Sequence, residues 1–194
     1  MSSLRQWIPK LLVESFFIVF SILLAFALNG WWGARQRQAL ADRALTDFVQ
    51  EIRQNRENLQ EVIPYHIDLR KKFSDIVNAG TVRTFADLDQ LNGFQGFRPA
   101  FLTTTAWETA IATGALTELK YDDVAALSEL YTMQERFVEI SMPNFMLGSG
   151  SFSDANINST MLTAMLYLGD VTAGEDRLTK IYDRVLQQLG ASEQ

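Results

Sequence analysis

The chain has no cysteine, a single histidine and fewer basic than acidic residues, and each shortage removes a class of function. Without thiols there are no disulfides, thiolate metal sites, iron–sulfur clusters or cysteine nucleophiles, and no lipid-modified cysteine. One imidazole, His66, rules out multi-histidine metal centres, and no G-x-S-x-G sequence supports a serine triad. Formal net charge is −6, and the residues after position 32 carry 15 basic against 22 acidic side chains, a net −7. No basic face offsets that charge, so a phosphate backbone is repelled and no nucleic-acid partner is expected. Strand-like alternation, tandem repeats and phosphate-cradling glycine loops are also missing. The expectation is a protein that is no enzyme and binds no cofactor or metal.

What the chain does have is "VESFFIVFSILLAFALNGWW", residues 13–32. From Leu11 to Trp32 the only ionisable residue is Glu14, and the uncharged run from Ser15 to Trp32 is 18 residues long, enough to span a bilayer as a helix. Trp7 precedes the run and Trp31 and Trp32 close it, where indole rings prefer the headgroup boundary. At a rise of about 1.5 Å per residue, Trp7 to Trp31 covers roughly 36 Å, so the three rings are expected to act as interface anchors. A cleaved signal peptide is the first alternative, since Arg5 and Lys10 form a basic start and Ala25-Phe26-Ala27 has small-x-small form. Against it, hydrophobicity runs on through Leu28 into a double tryptophan, and Glu14 interrupts the apolar stretch. A soluble core helix is the second alternative. The reading adopted is a membrane anchor at residues 1–33, transmembrane over about 11–32, ahead of a helical domain at 34–194.

At about 100° per residue, Glu14, Ser21, Ala25 and Trp32 fall on one stripe of this helix, with Asn29 at its border. Small and polar residues on one face suit helix–helix contact in lipid, which makes Glu14, Ser21, Ala25 and Asn29 the expected contact seam. Taken singly, Glu14 and Asn29 are read as groups at interface depth that reach water; a functional intramembrane carboxylate at Glu14 is the alternative.

Glu14, Ala25, Asn29 and Trp31 spell E-x10-A-x3-N-x-W, followed by a charged helix. In this the first sixty or so residues resemble a family of bacterial single-span membrane proteins. "TTTAWETAIATGAL" (103–116) and "ALSELY" (126–131) are similar to other proteobacterial members, more weakly. The resemblance implies a location, the bacterial inner membrane, and no reaction. Lys and Arg counts slightly favour a cytoplasmic body, with Arg35, Arg37 and Arg43 behind the span and Arg5 and Lys10 before it. The short N-terminal tail ahead of the first apolar helix is the layout of an uncleaved signal-anchor, so a periplasmic body is expected.

Beyond the span, residues 34–63 read as an amphipathic helix: Leu45, Ile52 and Leu59 at heptad position a, Ala41, Phe48, Asn55 and Val62 at d, with Val49 and Ile63 widening the stripe. Arg43, Gln50, Glu51, Arg53 and Glu57 fill the other side. Packing in a bundle is favoured; Asn55 setting register in a coiled coil is the alternative. Pro64 is expected to end or kink this helix, with a second helix from about Tyr65 to Val77 stopping at Gly80. The aromatic loop 92–101 should plug the core with Phe94, Phe97 and Phe101. Thr105 and Glu108 fit a capping box for a helix closed by Gly114. Asp122 should cap a helix over Asp123–Met142 ending near Pro143, followed by a loop at 148–159 and helices at about 160–168 and 172–189. The fold class is all-α: one N-terminal transmembrane helix continuing into an amphipathic helix, then a small helical bundle.

Few residues invite chemistry. His66 is read as structural or surface. Asp154-Ala155-Asn156-Ile157-Asn158 opens like a calcium loop, but Ser159 stands where the turn glycine belongs and Met165 where the closing glutamate belongs, so no calcium is expected. Trp107 reads as a core anchor, with a pocket wall formed with Phe97 and Phe101 as the alternative. The function expected is structural: an accessory or scaffold subunit that meets the lipid bilayer and other membrane-protein subunits, or a second copy of itself, through the span and the helix after it. A membrane-tethered sensing or ligand-binding domain is the alternative.

Overall fold

The computed structural model describes residues 4–80, 84, 94–141 and 157–190, with side chains from residue 12 onwards. Trp7, Arg5 and Lys10 therefore have a described backbone only, and Pro143, Asp154 and most of the 148–159 loop lie outside the described residues. Four α-helices and no strand occur among the described residues: α1 (Leu4–Ala79), α2 (Thr105–Thr113), α3 (Tyr121–Ser141) and α4 (Ile157–Gln188), with a 3₁₀ turn at Ala115–Glu118. The chain is thus a long N-terminal helix followed by a small helical bundle, as expected.

Pro64 does not end the first helix; α1 runs through it for 76 residues. A proline in a helix interior forfeits one backbone hydrogen bond and crowds the preceding turn, at about 3 kcal/mol. Here its ring lies on the exposed face, while Leu59, Val62, His66, Leu69 and Phe73 on either side of it are buried against the bundle. Tertiary burial on both flanks outweighs the local loss. The expected second helix is therefore the last fifth of α1. It stops at Gly80, which takes a φ of +60° and donates its N–H to the Ile76 carbonyl at 3.1 Å.

From Phe48 onwards the buried positions of α1 are 48, 52, 55, 59, 62, 66, 69 and 73, spaced four and three alternately. Buried positions of α4 repeat that spacing at 157, 161, 164, 168, 171, 175, 178, 182 and 185, with Ile181 and Leu186 widening the stripe near its end. This 3.5-residue period keeps two helices facing one another over many turns. They run antiparallel: Arg56 meets Asp183 at 2.6 Å, and Arg70 Nη1 donates to Thr172 Oγ1 at 3.4 Å. The unbroken stripe also explains why α4 is one helix where two were expected. Gly169 sits mid-helix beside the Arg70 guanidinium, and Leu168 and Val171 on either side of it are buried.

α3 packs on α4, with Phe137 against Gly174, where an added Cβ would lie 2.8 Å from the ring. Val124 N–H bonds to the Lys120 carbonyl at 3.1 Å, so α3 starts before Asp122, which lies in the first turn instead of capping it. Gly114 closes α2 as expected, with φ +73°.

Candidate functional site

Three features of the described structure bear on function. The first is the apolar portion of α1. Every described side chain from Leu12 to Trp32 is exposed, including Phe16 (65%), Phe26 (70%) and Trp32 (74%). This is a single helix long and apolar enough to cross a membrane, and none of its most apolar stretch is buried inside the molecule. Glu14, Ser21, Ala25 and Asn29 are all outward-facing in this sense, free of the bundle. The Ser21 hydroxyl donates to the Phe17 carbonyl at 2.7 Å, which satisfies it within the helix. At the far end the Arg35 guanidinium lies 4.9 Å over the Trp31 ring, so a cation covers the last aromatic turn.

The second feature is a set of buried polar layers where α1 meets the rest. Asn55 is fully buried. Its amide donates to the Thr103 carbonyl at 2.8 Å and to Gln134 Oε1 at 3.2 Å, and its oxygen accepts from the Thr103 N–H at 2.9 Å. Gln134 in turn accepts from the Tyr182 hydroxyl at 2.7 Å and donates to the Thr103 carbonyl at 2.9 Å. The layer joins α1, α3, α4 and the segment before α2 with its donors and acceptors matched, so Asn55 fixes register inside one chain.

Glu51, expected on the polar side, is half-buried beside that layer. One oxygen accepts from the Tyr131 hydroxyl at 2.7 Å; the other accepts from Thr103 Oγ1 at 3.1 Å and from the Ala106 N–H at 3.0 Å. It therefore supplies the anion at the start of α2. The capping box expected from Thr105 and Glu108 does not form: the N-terminal residue is Thr104, whose hydroxyl donates to Glu108 Oε1 at 2.7 Å and to no backbone group. Burial, and then the nearby Glu51 carboxylate, hold the Tyr131 hydroxyl far above its ordinary range, and Tyr182 is raised for the same reasons.

Farther along, His66 is 1% exposed and lies between two acceptors. Nδ1 is 2.5 Å from Glu175 Oε1, and Nε2 donates to the Phe97 carbonyl at 2.6 Å. Burial alone would lower the imidazole's pKa. The hydrogen bond and charge of Glu175, with the carbonyls of Phe97 and Arg98, outweigh burial and raise it above 6.5. Glu175 is equally buried, and its Oε2 accepts no hydrogen bond among the described residues. Together with Tyr65, whose hydroxyl donates to the Gly96 carbonyl at 2.6 Å and accepts from the Gln95 N–H at 2.9 Å, His66 pins the extended 94–101 segment onto α1. Of the two expectations for His66, structural or surface, burial excludes the surface, and the heptad continuing past Pro64 is the sequence signal for that burial.

The third feature is a cleft of about 490 Å³ between the segment around α2 and α3, lined by Trp107, Tyr131, Val138, Glu108, Glu135 and Glu139 among others. Trp107 is half-buried and stacks on Tyr131 at 5.3 Å, with Phe48 at 6.2 Å, so it is at once core anchor and cleft wall. Phe97 and Phe101 do not join it. Phe97 packs instead between Phe73 and Tyr167, and Phe101 is 83% exposed. Phe94, 43% exposed, only edges the Phe73 ring, so of the three phenylalanines expected in the core Phe97 alone enters it. Asn58 holds the Phe101 carbonyl at 2.9 Å, and the extended segment turns Ala100 and Leu102, on either side, towards the core, so Phe101 faces out.

Comparison with protein-family models, curated proteins and solved structures finds no match to this chain.

Proposed function

We propose that the protein is a single-pass bacterial inner-membrane protein that serves as an accessory or scaffold subunit of a membrane assembly, or as a self-associating subunit, with its helical bundle on the periplasmic side. The supporting observation is the continuity of α1: a wholly exposed apolar stretch passes without a break into a heptad stripe that the same chain buries. A helix apolar on all sides finds its solvent in lipid, and a rigid helical joint fixes the bundle relative to that span. Because the rest of the bundle (α4 together with α2, α3 and the segment before α2) already covers the stripe from Ala41 to Phe73, lateral contact falls to the span and its Glu14, Ser21, Ala25 and Asn29 seam. Interface depth for Trp7, Trp31 and Trp32 belongs to the same proposal. No catalytic step forms part of it.

Gentle solubilisation of a C-terminally tagged chain, followed by sizing and identification of what travels with it, tests the reading. An oligomer or a stable complex is expected, and Ala25→Leu with Ser21→Leu should release a smaller species. A free monomer in several mild detergents overturns it. A C-terminal alkaline phosphatase fusion that is active supports the periplasmic side; an inactive one beside an active cytoplasmic reporter reverses it.

A second reading, a membrane-tethered ligand-binding domain, draws on the cleft beside Trp107, whose aromatic wall and three glutamates suit a small organic cation. A saturable thermal shift with such a ligand, abolished by Trp107→Ala, separates it from the first.

A further inference from the structure

The bundle has an end that faces back along α1 towards the apolar stretch. The segment from residue 94 to 118 runs antiparallel to α1. Phe97 lies at His66, Thr103 at Asn55 and Ala106 at Glu51, and the segment ends with Glu118 paired to Arg37 Nε at 2.8 Å. Arg37 is five residues beyond Trp32, roughly 7–8 Å along the helix axis. α3 then turns and runs parallel to α1, as the Tyr131–Glu51 and Gln134–Asn55 hydrogen bonds show. Tyr121, ten residues before Tyr131, is therefore level with about residue 41, roughly 13–14 Å beyond Trp32. Side chains in a helix lean towards its N-terminus, which for α3 is the direction of the span.

We propose that this end of the bundle, the turn from Glu118 to Tyr121, is a second membrane contact, with Tyr121 and Lys120 seated among lipid headgroups. The proposal rests on the reading that residues 12–32 lie in the bilayer. Tyr121 is 84% exposed, the highest value among the exposed large hydrophobic side chains. A lone exposed aromatic means little by itself, but this one stands at the end of the bundle closest to the span. A tyrosine leaning roughly 6 Å back brings its hydroxyl to within about 7–8 Å of the Trp32 level, at the outer edge of a headgroup layer some 5–7 Å deep on each face, and a modest tilt of the span towards this side closes the difference. Lys120 beside it is exposed and forms no ion pair among the described residues, so its ammonium is available to lipid phosphates. Of the acidic neighbours, Glu118 is paired with Arg37 and Asp123 Oδ1 accepts from the Gln188 amide at 3.1 Å, while Asp122 is exposed, so Lys120, Arg35 and Arg37 balance the three carboxylates and leave the turn without net negative charge. Arg35, stacked on Trp31, adds a further cation at the same end of the molecule, on the other side of α1 from Arg37. Two contacts, one through the span and one through this turn, would hold the bundle at a fixed tilt.

The natural absence of cysteine makes site-directed spin labelling direct. Full-length single-cysteine variants Leu24→Cys, Tyr121→Cys, Thr117→Cys and Leu166→Cys are labelled in nanodiscs of phosphatidylethanolamine and phosphatidylglycerol. Collision with oxygen and with a water-soluble nickel chelate then reports depth. Leu24 should show an oxygen-rich, nickel-poor environment, and Leu166, near the far end of the bundle, a nickel-rich one. Labels at 117 and 121 should show nickel collision several-fold below that at 166, and spin–spin broadening from headgroup-labelled lipid. Adding Lys120→Glu and Tyr121→Ser to the Thr117→Cys chain should restore nickel access. If the labels at 117 and 121 behave like that at 166 while 24 stays in hydrocarbon, the second contact is wrong and the anchor stands. If they are shielded from nickel but feel no labelled lipid, protein covers the turn and the proposal also fails. A nickel-accessible label at 24 overturns the anchor and the contact together.

Discussion

Residues 12–32 and residues 41–73 belong to one uninterrupted helix, yet they present opposite surfaces. In the first stretch every side chain is exposed and nearly all are apolar; in the second, a narrow apolar stripe is buried and charged residues fill the remainder. Helix geometry is the same in both, so the difference lies in the distribution of apolar side chains around the axis. Leucine, isoleucine and phenylalanine on all sides leave no polar face for water, whereas a four-three repeat leaves one stripe that a single antiparallel partner can cover.

The largest effect on this contrast should come from the buried pair in the second stretch. His66→Leu removes the partner of a buried carboxylate and of the Phe97 carbonyl, and should cost roughly 3–5 kcal/mol in urea unfolding of the solubilised chain. Replacing both partners, His66→Leu with Glu175→Leu, should recover much of that loss, because no uncompensated polar group then remains. The pair also carries a pH signature. Folding raises the imidazole's pKa above 6.5, so the folded chain holds that proton more tightly. The resulting stability is complete below about pH 6.5 and is lost as pH rises through the folded-state pKa. Of the groups around it, Glu175 supplies the charge; Tyr167, pushed up to about 12 by burial and then by Glu175, stays neutral throughout. The decline should be present in the parent chain and absent in the double variant; a parallel decline in both would assign it elsewhere.

Next in size is a direct comparison across the two stretches. Phe48→Ala empties a site with no exposed surface and should cost about 3–5 kcal/mol. Phe20→Ala, 51% exposed and touching only its own helix, should leave bundle unfolding within about 0.5 kcal/mol. Equal losses would mean that the exposed stretch is packed against protein, and the contrast would fail.

Pro64 marks where local and long-range rules collide, and it shows what can be read from the chain. The heptad from Ala41 to Val62 was legible because apolar residues recur at the right interval, and Asn55 stood out as the one polar member. The helix end was misplaced because proline is a local signal, while the burial that overrides it, through His66, Leu69 and Phe73, depends on α4 more than ninety residues later. Glu51 was unreadable for the same reason: nothing near it announces that the start of α2 will lie against it. Phe101 misled because hydrophobicity does not reveal which face of an extended segment meets the core, and here Ala100 and Leu102 take it. Pro64→Ala should restore a backbone donor on an exposed face and raise stability by roughly 1–2 kcal/mol, the helix gain less the lost stiffness of the unfolded chain. A loss instead would show that the proline ring shapes α1 for its fit to α4.

The smallest effect belongs to the joint between the stretches. Arg37 and Glu118 are 58% and 34% exposed, so water screens their attraction despite a 2.8 Å contact. Arg37→Ala should therefore cost under about 1 kcal/mol of bundle stability. The difference between parent and variant should shrink as salt rises towards 1 M, where the screening length is about 3 Å. Its value is diagnostic. Arg37 is the first residue after the apolar stretch to hold another element of the fold, and the segment it holds ends at the start of α3. If Arg37→Ala leaves stability nearly unchanged yet loosens a spin label at residue 117, the ion pair positions the turn against α1 without stabilising the fold. If neither changes, the turn is held by Ala115, which is 2% exposed, and the core beneath it.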